Sequence, residues 1–284
     1  SGSRVRKRFN ARDEASSRVY EYLLPLHALG DGCTSAEFDE LLRSFEGTHR
    51  FHNFASGLRV RQEECGSFAA PDGEEWPLAL REGDHTSAAF RSIITCRVHG
   101  RAEVEGTSYL VLRIAGLAFQ LHQIRHMVGS ALAVANGVVP RDVQQIALNS
   151  PFKLDVSPLV PGMGLLLDEI SWFSLKDGVH EARVPPPARK AMQEFKRSTI
   201  YPHIHQLYAD GAYDEFLQRL RSPENGYDYV DEDYERVRRV HAAWDADLAE
   251  KIAKRKQRRQ EKREKRALEG SDSGFGRKPG GGGG

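Results

Sequence analysis

Apolar side chains recur at helical spacing in the segment AFQLHQIRHMVGSALAVANG, residues 118–137. The apolar positions of this predicted helix are Leu121, Ile124, Val128, Leu132 and Ala135. Three polar side chains, His122, Arg125 and His126, lie together on the opposite side of the helix. Because the apolar face can be buried, a cation and two imidazoles on the other face indicate a polar site there.

Runs of β-prone residues predict four strands. The first run contains Val19, Tyr20, Tyr22 and Leu23. Residues 89–98 and 108–119 are expected to form an antiparallel pair, with a turn between Gly100 and Gly106. Residues 163–173 form the fourth predicted strand and follow a proline- and glycine-containing break.

Further helices are predicted from apolar spacing at residues 35–45, 141–148, 188–197 and 213–220. Residues 56–88 are rich in Gly, Glu, Asp and Pro and are predicted to be a long polar loop. The order β-α-β-β-α-α-β lacks the regular alternation of a parallel sheet. We therefore expect an α+β fold, with a mostly antiparallel sheet, helices packed on one face, and a C-terminal helical extension.

The last predicted helix changes character along its length. From Asp233 its apolar stripe consists of Val237, Val240, Trp244, Leu248 and Ile252. Residues 254–266 have almost nothing to bury, so this part is expected to be a solvated or ligand-bound helix, followed by a low-complexity coil at 270–284. The chain has a net charge of +1, but the residues from Lys251 onward carry 12 Lys/Arg against 4 Asp/Glu, which leaves −7 for residues 1–250.

Composition excludes several classes of protein. An apolar fraction of 39% suits a packed soluble core, and no apolar run reaches the ~18 residues that span a bilayer. No signal-peptide pattern is present. Cys33, Cys65 and Cys96 are odd in number and lack a CxxC pair, which argues against disulfides and a thiolate zinc site and indicates a reducing compartment.

The polar helix face allows three interpretations. His122 and His126 are four residues apart and could share a metal, but Gln123 stands where a helical metal hydrolase carries glutamate, so two satisfied or surface histidines are favoured. Arg125, one turn before Gly129, could pair with a carboxylate or phosphate, or could simply be solvated. Spacing alone does not decide between a paired and a solvated Arg125.

Five segments in order resemble the TruA-type tRNA pseudouridine synthases, specifically their eukaryotic tRNA pseudouridine synthase 1 branch. They are RFNARDEASSRVYEYLLP (8–25), GTHRFHNFAS (47–56), AFQLHQIRHMVG (118–129), PLVPGMGLLLDEISW (158–172) and FKRSTIYPHI (195–204). In that family uracil is cleaved from its ribose, rotated while held, and rejoined through carbon 5, without a metal or cofactor. The resemblance thus implies a tRNA-modifying isomerase.

The resemblance also implies roles for individual residues. Tyr20 would stack on the flipped uracil and take part in proton removal from carbon 5. Arg125 would form an ion pair with the catalytic aspartate, and Leu165 would line the base pocket. The residues that match a motif interpreted as scaffold are Gly47, His49, Phe51 and Phe54.

One departure from the family is that the chain contains no Arg-Thr-Asp, the motif that carries the catalytic aspartate upstream of these segments. We therefore expect residues 1–3 to be an expression remnant, 4–182 the C-terminal half of the catalytic domain, 183–250 a helical extension, and 251–284 a basic helix with a Gly-rich disordered tail. The chain alone is expected to be inactive and to need the N-terminal half of the same enzyme. The alternative is a non-catalytic RNA-binding or ribosome-associated protein that keeps the fold.

The expected partner is tRNA or another structured RNA, with no membrane. The basic residues expected to contact its phosphates are Lys251, Lys254, Arg255, Lys256, Arg258, Arg259, Lys262 and Arg263. A basic run also suits nuclear import, so a nuclear or mitochondrial location is expected, with the nucleus favoured.

Overall fold

The computed structural model describes residues 8–56, 66–79, 89–172, 186–222 and 231–272. Residues 1–3, Cys65, much of the predicted polar loop at 56–88 and the tail after Asp272 lie outside the described residues.

The described residues contain seven strands in two antiparallel sheets. Their bounds are β1 Ala15–Pro25, β2 Gly47–Arg50, β3 Ser67–Ala69, β4 Glu75–Pro77, β5 Phe90–Val104, β6 Thr107–Gly116 and β7 Leu165–Trp172. The main sheet has the order β2-β5-β6-β1-β7. The hairpin of β3 and β4 lies within the segment that the sequence predicted as loop. The α+β class and the antiparallel sheet are confirmed.

Seven helices are found among the described residues. Their bounds are α1 Ser35–Arg43, α2 Gln123–Ala135, α3 Arg141–Asn149, α4 Pro186–Phe195, α5 Tyr201–Ala209, α6 Ala212–Arg221 and α7 Asp231–Asp272. Thr34 begins α1 with a capping box, in which its hydroxyl accepts the Glu37 N–H and the Glu37 carboxylate accepts the Thr34 N–H. A short π-helical segment, Lys196–Ile200, joins α4 to α5. Helix α5 was not predicted as an element.

Strand β1 is central and divides its side chains between two covered faces. Its register places Tyr20 and Tyr22 opposite Ile114 and Leu112 of β6, on one face. Glu21 points to the other face, since strand residues alternate. There Glu21 contacts Lys196 and Tyr201 of the helical extension. Helices α1 and α2 pack together, and α1 lies against β5.

The C-terminal extension is joined to the sheet by a close backbone approach. The Tyr208 hydroxyl of α5 donates a 3.0 Å hydrogen bond to the carbonyl oxygen of Leu23 in β1. A Cβ at Gly164 would overlap this hydroxyl, so glycine is required where the chain enters β7. Stacked or edge-on rings of Tyr109, Tyr208 and Tyr213 fill the space around this bond.

Helix α7 packs on the domain only in its first part. Tyr234 donates to the Val138 carbonyl oxygen at 2.8 Å, and Arg238 pairs with Asp142 at the start of α3. Trp244 lies edge-on to Phe152. The predicted stripe is buried at Val237, Val240 and Trp244, partly buried at Leu248 and 46% exposed at Ile252. In the described part of the chain, no helix is long and apolar enough to cross a membrane.

Two boundaries differ from the sequence expectation. Helix α2 begins at Gln123, because Gln120 N–H donates to the Gln123 side chain at 2.8 Å and His122 adopts a left-handed conformation with φ of 58°. Leu121, predicted on the buried face, is therefore 61% exposed. Strand β5 runs through Gly100, and the turn lies at Glu105 and Gly106 instead.

Candidate active site

The segment 157–164 connects the three elements that carry the predicted site residues. The Arg125 Nε of α2 donates to the carbonyl oxygen of Val160 at 2.7 Å. The Tyr22 hydroxyl of β1 donates to the carbonyl oxygen of Pro161 at 2.7 Å. Leu165 N–H, at the start of β7, donates to Gly162 at 3.1 Å. This segment therefore fixes α2 relative to β1 and β7.

Arg125 is half-buried and held at one nitrogen. Its guanidinium carbon lies 3.4 Å from the place a Cβ would take at Gly162, so the chain passes closely beneath the cation. Because Nε is engaged by a carbonyl oxygen, the two terminal nitrogens remain for a bidentate acceptor. Among the residues that the structure describes, no carboxylate pairs with Arg125.

Gly129 explains how α2 comes so close to this segment. A Cβ at position 129 would overlap the carbonyl oxygen of Pro158. The sequence predicted that Gly129 admits either backbone or ligand, and the structure places backbone there. Gly129 therefore sets the depth at which Arg125, one turn earlier, is presented.

Tyr20 forms a partly exposed aromatic surface on β1. Its ring meets Phe119 edge-on, with centroids 5.3 Å apart and an interplanar angle of 86°. On its other side it pairs with Leu167, which is 50% exposed. An aromatic ring with an open face can receive an unstacked base.

Leu165 pairs with Tyr22 across β1 and β7, so it lies on the same sheet face as Tyr20. The structure thus brings Tyr20, Arg125 and Leu165 to connected parts of one face. A cavity of about 600 Å³ lies instead against the opposite face, where Glu21, Tyr201 and Arg197 line it. Because it lies on the face of the sheet opposite Tyr20 and Leu165, we do not assign it as the base pocket.

The two histidines of the motif belong to a hydrogen-bond chain through Ser56. The His126 Nδ1 donates to the Ser157 carbonyl oxygen at 2.6 Å, so in its neutral form Nε2 accepts from the Ser56 hydroxyl at 3.0 Å. The Ser56 oxygen in turn lies 3.1 Å from His122 Nδ1. Burial lowers the pKa of His126, which favours this neutral form. The described residues contain no group of three side chains suited to a metal ion.

The motif interpreted as scaffold lies in the core. Phe51 and Phe54 are fully buried and contact Phe45. His49 bonds through Nε2 to the Glu46 carbonyl oxygen at 2.8 Å. His52 is also buried, and burial lowers its pKa to about 4. These contacts agree with a structural interpretation of the motif.

A buried group of charges was not predicted from the sequence. Glu21, Asp168 and Lys196 meet behind β1, with Arg113 beside them. The available signal was Glu21 itself, since a carboxylate between two tyrosines of a central strand must find a cation when that strand face is covered.

The predicted RNA-binding residues lie on the exposed half of α7. Lys251 pairs with Asp247 at 2.8 Å, and Lys254 pairs with Glu250. In the described part of the chain, the others form no ion pair; they are Arg255, Lys256, Arg258, Arg259, Lys262 and Arg263. Their charge is therefore available to an external anion.

Comparison with known proteins bears on this arrangement. No protein-family model matches the chain. Over 219 residues it is 28% identical to human pseudouridylate synthase 1 homolog, which covers 71% of the chain and 45% of that protein. It is 27% identical over 172 residues to tRNA pseudouridine synthase 1 of Candida albicans, covering 59% of the chain and 24% of that protein. The chain is a distant homologue of the tRNA pseudouridine synthases.

A bacterial pseudouridine synthase is also similar over a shorter stretch. The chain is 35% identical over 68 residues to tRNA pseudouridine synthase A of Streptococcus pyogenes, covering 24% of the chain and 27% of that protein. The resemblance inferred from five segments is thereby confirmed. The chain spans less than half the length of the curated relatives it matches. The roles of Tyr20, Arg125 and Leu165 in a pseudouridine synthase stay predictions.

Proposed function

We propose that this chain is the part of a tRNA pseudouridine synthase that supplies the base-receiving surface and the arginine of the active site. The observation that carries the proposal is Arg125. It is half-buried, anchored through Nε to Val160, and without a carboxylate partner among the described residues. A cation held in this way is suited to receive a carboxylate from another segment.

The partner that we propose for Arg125 is the catalytic aspartate. The chain has no Arg-Thr-Asp, so this aspartate comes from a further segment of the same enzyme, corresponding to its N-terminal half. An opposed guanidinium lowers the pKa of a carboxyl group and keeps it ionised as a nucleophile. The chain alone binds RNA in this proposal and does not isomerise it.

We assign Tyr20 two tasks in the reaction: its ring receives the uracil, and its hydroxyl takes part in removing the proton from carbon 5. The bond from ribose C1′ to N1 of uracil breaks, the base turns, a bond from C1′ to carbon 5 forms, and the proton on carbon 5 must leave. A base inside folded RNA has to leave its stack first. The partly exposed ring of Tyr20, which meets Phe119 edge-on, receives the base, and Leu165 limits the space on the same sheet face.

The exposed half of α7 provides sequence-independent attraction in this proposal. At 100° per residue, the ten Lys and Arg side chains of residues 251–266 fall within an arc of about 200° around the helix. Glu261 and Glu264 fall outside that arc. Binding to the phosphates of a single RNA strand or groove explains such a cationic arc better than a role in general solubility does.

The experiment that tests the function is disruption of the gene in its own host, followed by mapping of pseudouridine in tRNA. We expect at least one tRNA position to lose pseudouridine. A wild-type gene should restore it, and a gene encoding Arg125→Ala should not. If no RNA position loses pseudouridine, or if Arg125→Ala restores it fully, the protein is not the proposed enzyme, and the non-catalytic RNA-binding alternative stands.

A further inference from the structure

Buried charges lie directly behind the strand that carries Tyr20. Lys196 Nζ is 2.7 Å from Glu21 Oε2 and 2.6 Å from Asp168 Oδ1. Arg113 donates to the second Asp168 oxygen at 2.9 Å, and the Tyr201 hydroxyl donates to Glu21 at 3.1 Å. Glu21, Asp168 and Lys196 are 3%, 8% and 6% exposed, so water screens their attraction little.

Asp168 occupies an unusual place in the sheet. Tyr20 pairs with Leu167 and Val19 pairs with Glu169, so Asp168 is an extra residue without a partner on β1. Such a β-bulge bends its strand and redirects neighbouring side chains. The bulge lies beside Tyr20, so whatever fixes Asp168 also fixes the local twist that directs the Tyr20 ring.

Lys196 reaches this bulge from the C-terminal extension. It begins the π-helical segment between α4 and α5, and its two contacts bridge β1 and β7 at the level of Tyr20. Tyr201 follows the same segment, and burial together with the Glu21 charge raises its pKa, so its hydroxyl stays protonated as a donor. The extension thus supports the reverse side of the proposed site.

Stability alone is a weak explanation for this cluster. Replacing a complete buried ion pair by uncharged side chains of similar volume is often neutral or stabilising, whereas removing one partner is destabilising. A buried charge set fixes geometry more narrowly than apolar packing, because each oxygen must meet a particular donor. At the bulge, the position of Asp168 that these charges fix determines the local geometry of β1 and β7 beside Tyr20.

We propose that Lys196 is a positioning residue for Tyr20, an inference that rests on the function proposed above. By holding Asp168 in the bulge and Glu21 next to Tyr20, it sets the orientation of the ring that receives uracil. Because Lys196 lies on the face of β1 opposite Tyr20, it touches neither the uracil nor the proposed catalytic aspartate. It acts through the backbone of β1 and β7.

The test compares Lys196→Met with Lys190→Met in the complete enzyme. Lys190 is an exposed residue of α4 whose ion-pair partner within the described residues is Glu194, one turn later, and so it serves as the matched control. We expect Lys196→Met to lower kcat about 10-fold or more with tRNA affinity unchanged, as misplacement of a catalytic group does. Lys190→Met should leave kcat and affinity unaltered.

A double-mutant cycle then separates positioning from general damage. Two changes that act through one group are not additive. In a Tyr20→Ala background, which has no ring left to orient, Lys196→Met should therefore lower kcat by less than about two-fold further. Equal losses in both backgrounds would overturn the proposal. If Lys196→Met does not fold, the pair Lys196→Met and Glu21→Gln removes one charge of each sign, keeps Asp168 with Arg113, and should show the same kcat loss.

A readout that needs no activity keeps this inference separate from the proposed function. With 3-fluorotyrosine incorporated, the ¹⁹F resonance of Tyr20 is assigned by its absence in Tyr20→Phe. Lys196→Met should shift this resonance, and Lys190→Met should not. An inactive wild-type enzyme counts against the proposed function, whereas an unmoved Tyr20 resonance in folded Lys196→Met counts against the positioning role.

Discussion

Helices α2 and α7 both present arginines, and they hold them in opposite ways. Arg125 of α2 is half-buried, fixed at Nε by the Val160 carbonyl oxygen, and set at its depth by Gly129 against Pro158. The cations in the second half of α7 are exposed, and most of them have no partner in the described part of the chain.

This difference separates two kinds of electrostatic function. A cation held by backbone contacts can meet one carboxylate in one geometry, so its effect depends on placement. A row of solvated cations attracts phosphates through total charge, and each member contributes a similar increment. We therefore expect single changes in α2 to affect turnover sharply and changes in α7 to affect affinity gradually.

The largest effect is expected at Arg125. Arg125→Ala in the complete enzyme should lower isomerisation about 10²- to 10³-fold, the range typical when one electrostatic contact at the reacting centre is removed. Arg125→Lys should rescue little, because an ammonium cannot reproduce the two-nitrogen fork while Nε is bound to Val160. Tritium release from carbon 5 measures the activity. RNA binding should be nearly unchanged, and activity within about two-fold of wild type would rule out the assigned role.

A smaller effect is expected for Tyr20→Phe, which keeps the ring and removes the hydroxyl. If the hydroxyl takes part in proton removal, turnover should fall by roughly 10²-fold, the range typical of a lost general base. The packing against Phe119 and the tRNA affinity should be retained. Normal single-turnover rates for the Phe variant would reduce Tyr20 to a stacking surface.

The smallest effect on chemistry is expected from removing the chain after Glu250. Binding to tRNA should weaken, and the slope of log affinity against log salt should flatten by several units, at about 0.7 to 0.9 for each phosphate that the helix no longer neutralises. The modified uridine should stay the same, because we expect the pocket around Tyr20 and Arg125, and not α7, to select it. Filter binding at several salt concentrations gives the slope. An unchanged slope would assign the charge of α7 to another purpose.

Much of this arrangement could be predicted because it is local in the sequence. The β-prone run around Tyr20 and the fading apolar stripe of α7 are each encoded by near neighbours. The start of α2 was misjudged because apolar spacing does not reveal the left-handed His122, and the turn there is also held by Ser56, whose N–H donates to the Leu121 carbonyl oxygen from 65 residues away in the chain. The partner of Glu21, Lys196, is 175 residues distant, and no periodicity reveals such a contact.

The placement of Arg125 combines a motif that the sequence reveals with a distant contact that it does not. Its motif was recognisable, but the Val160 carbonyl oxygen that anchors it comes from a loop 35 residues later. Sequence spacing therefore left a solvated and a paired arginine equally possible. The unpredicted bulge at Asp168 has the same origin, since it exists only in the register between β1 and β7.

Because α7 is one continuous helix, its apolar face near the start and its cationic face near the end have a fixed direction relative to each other. With 100° per residue, Trp244 and Leu248 lie within about 20°, and Val240 within about 60°, of the centre of the cationic arc beyond Lys251. The side of the helix that packs on the domain thus continues as the cationic side over residues 251–266, about 24 Å of helix. If α7 binds RNA as proposed, the RNA lies on that same side of the helix. The length of the helix therefore sets the direction of its cations. Inserting two residues in its middle would turn the cations by about 200°, away from that side, whereas inserting seven would turn them by nearly two full turns and restore their direction.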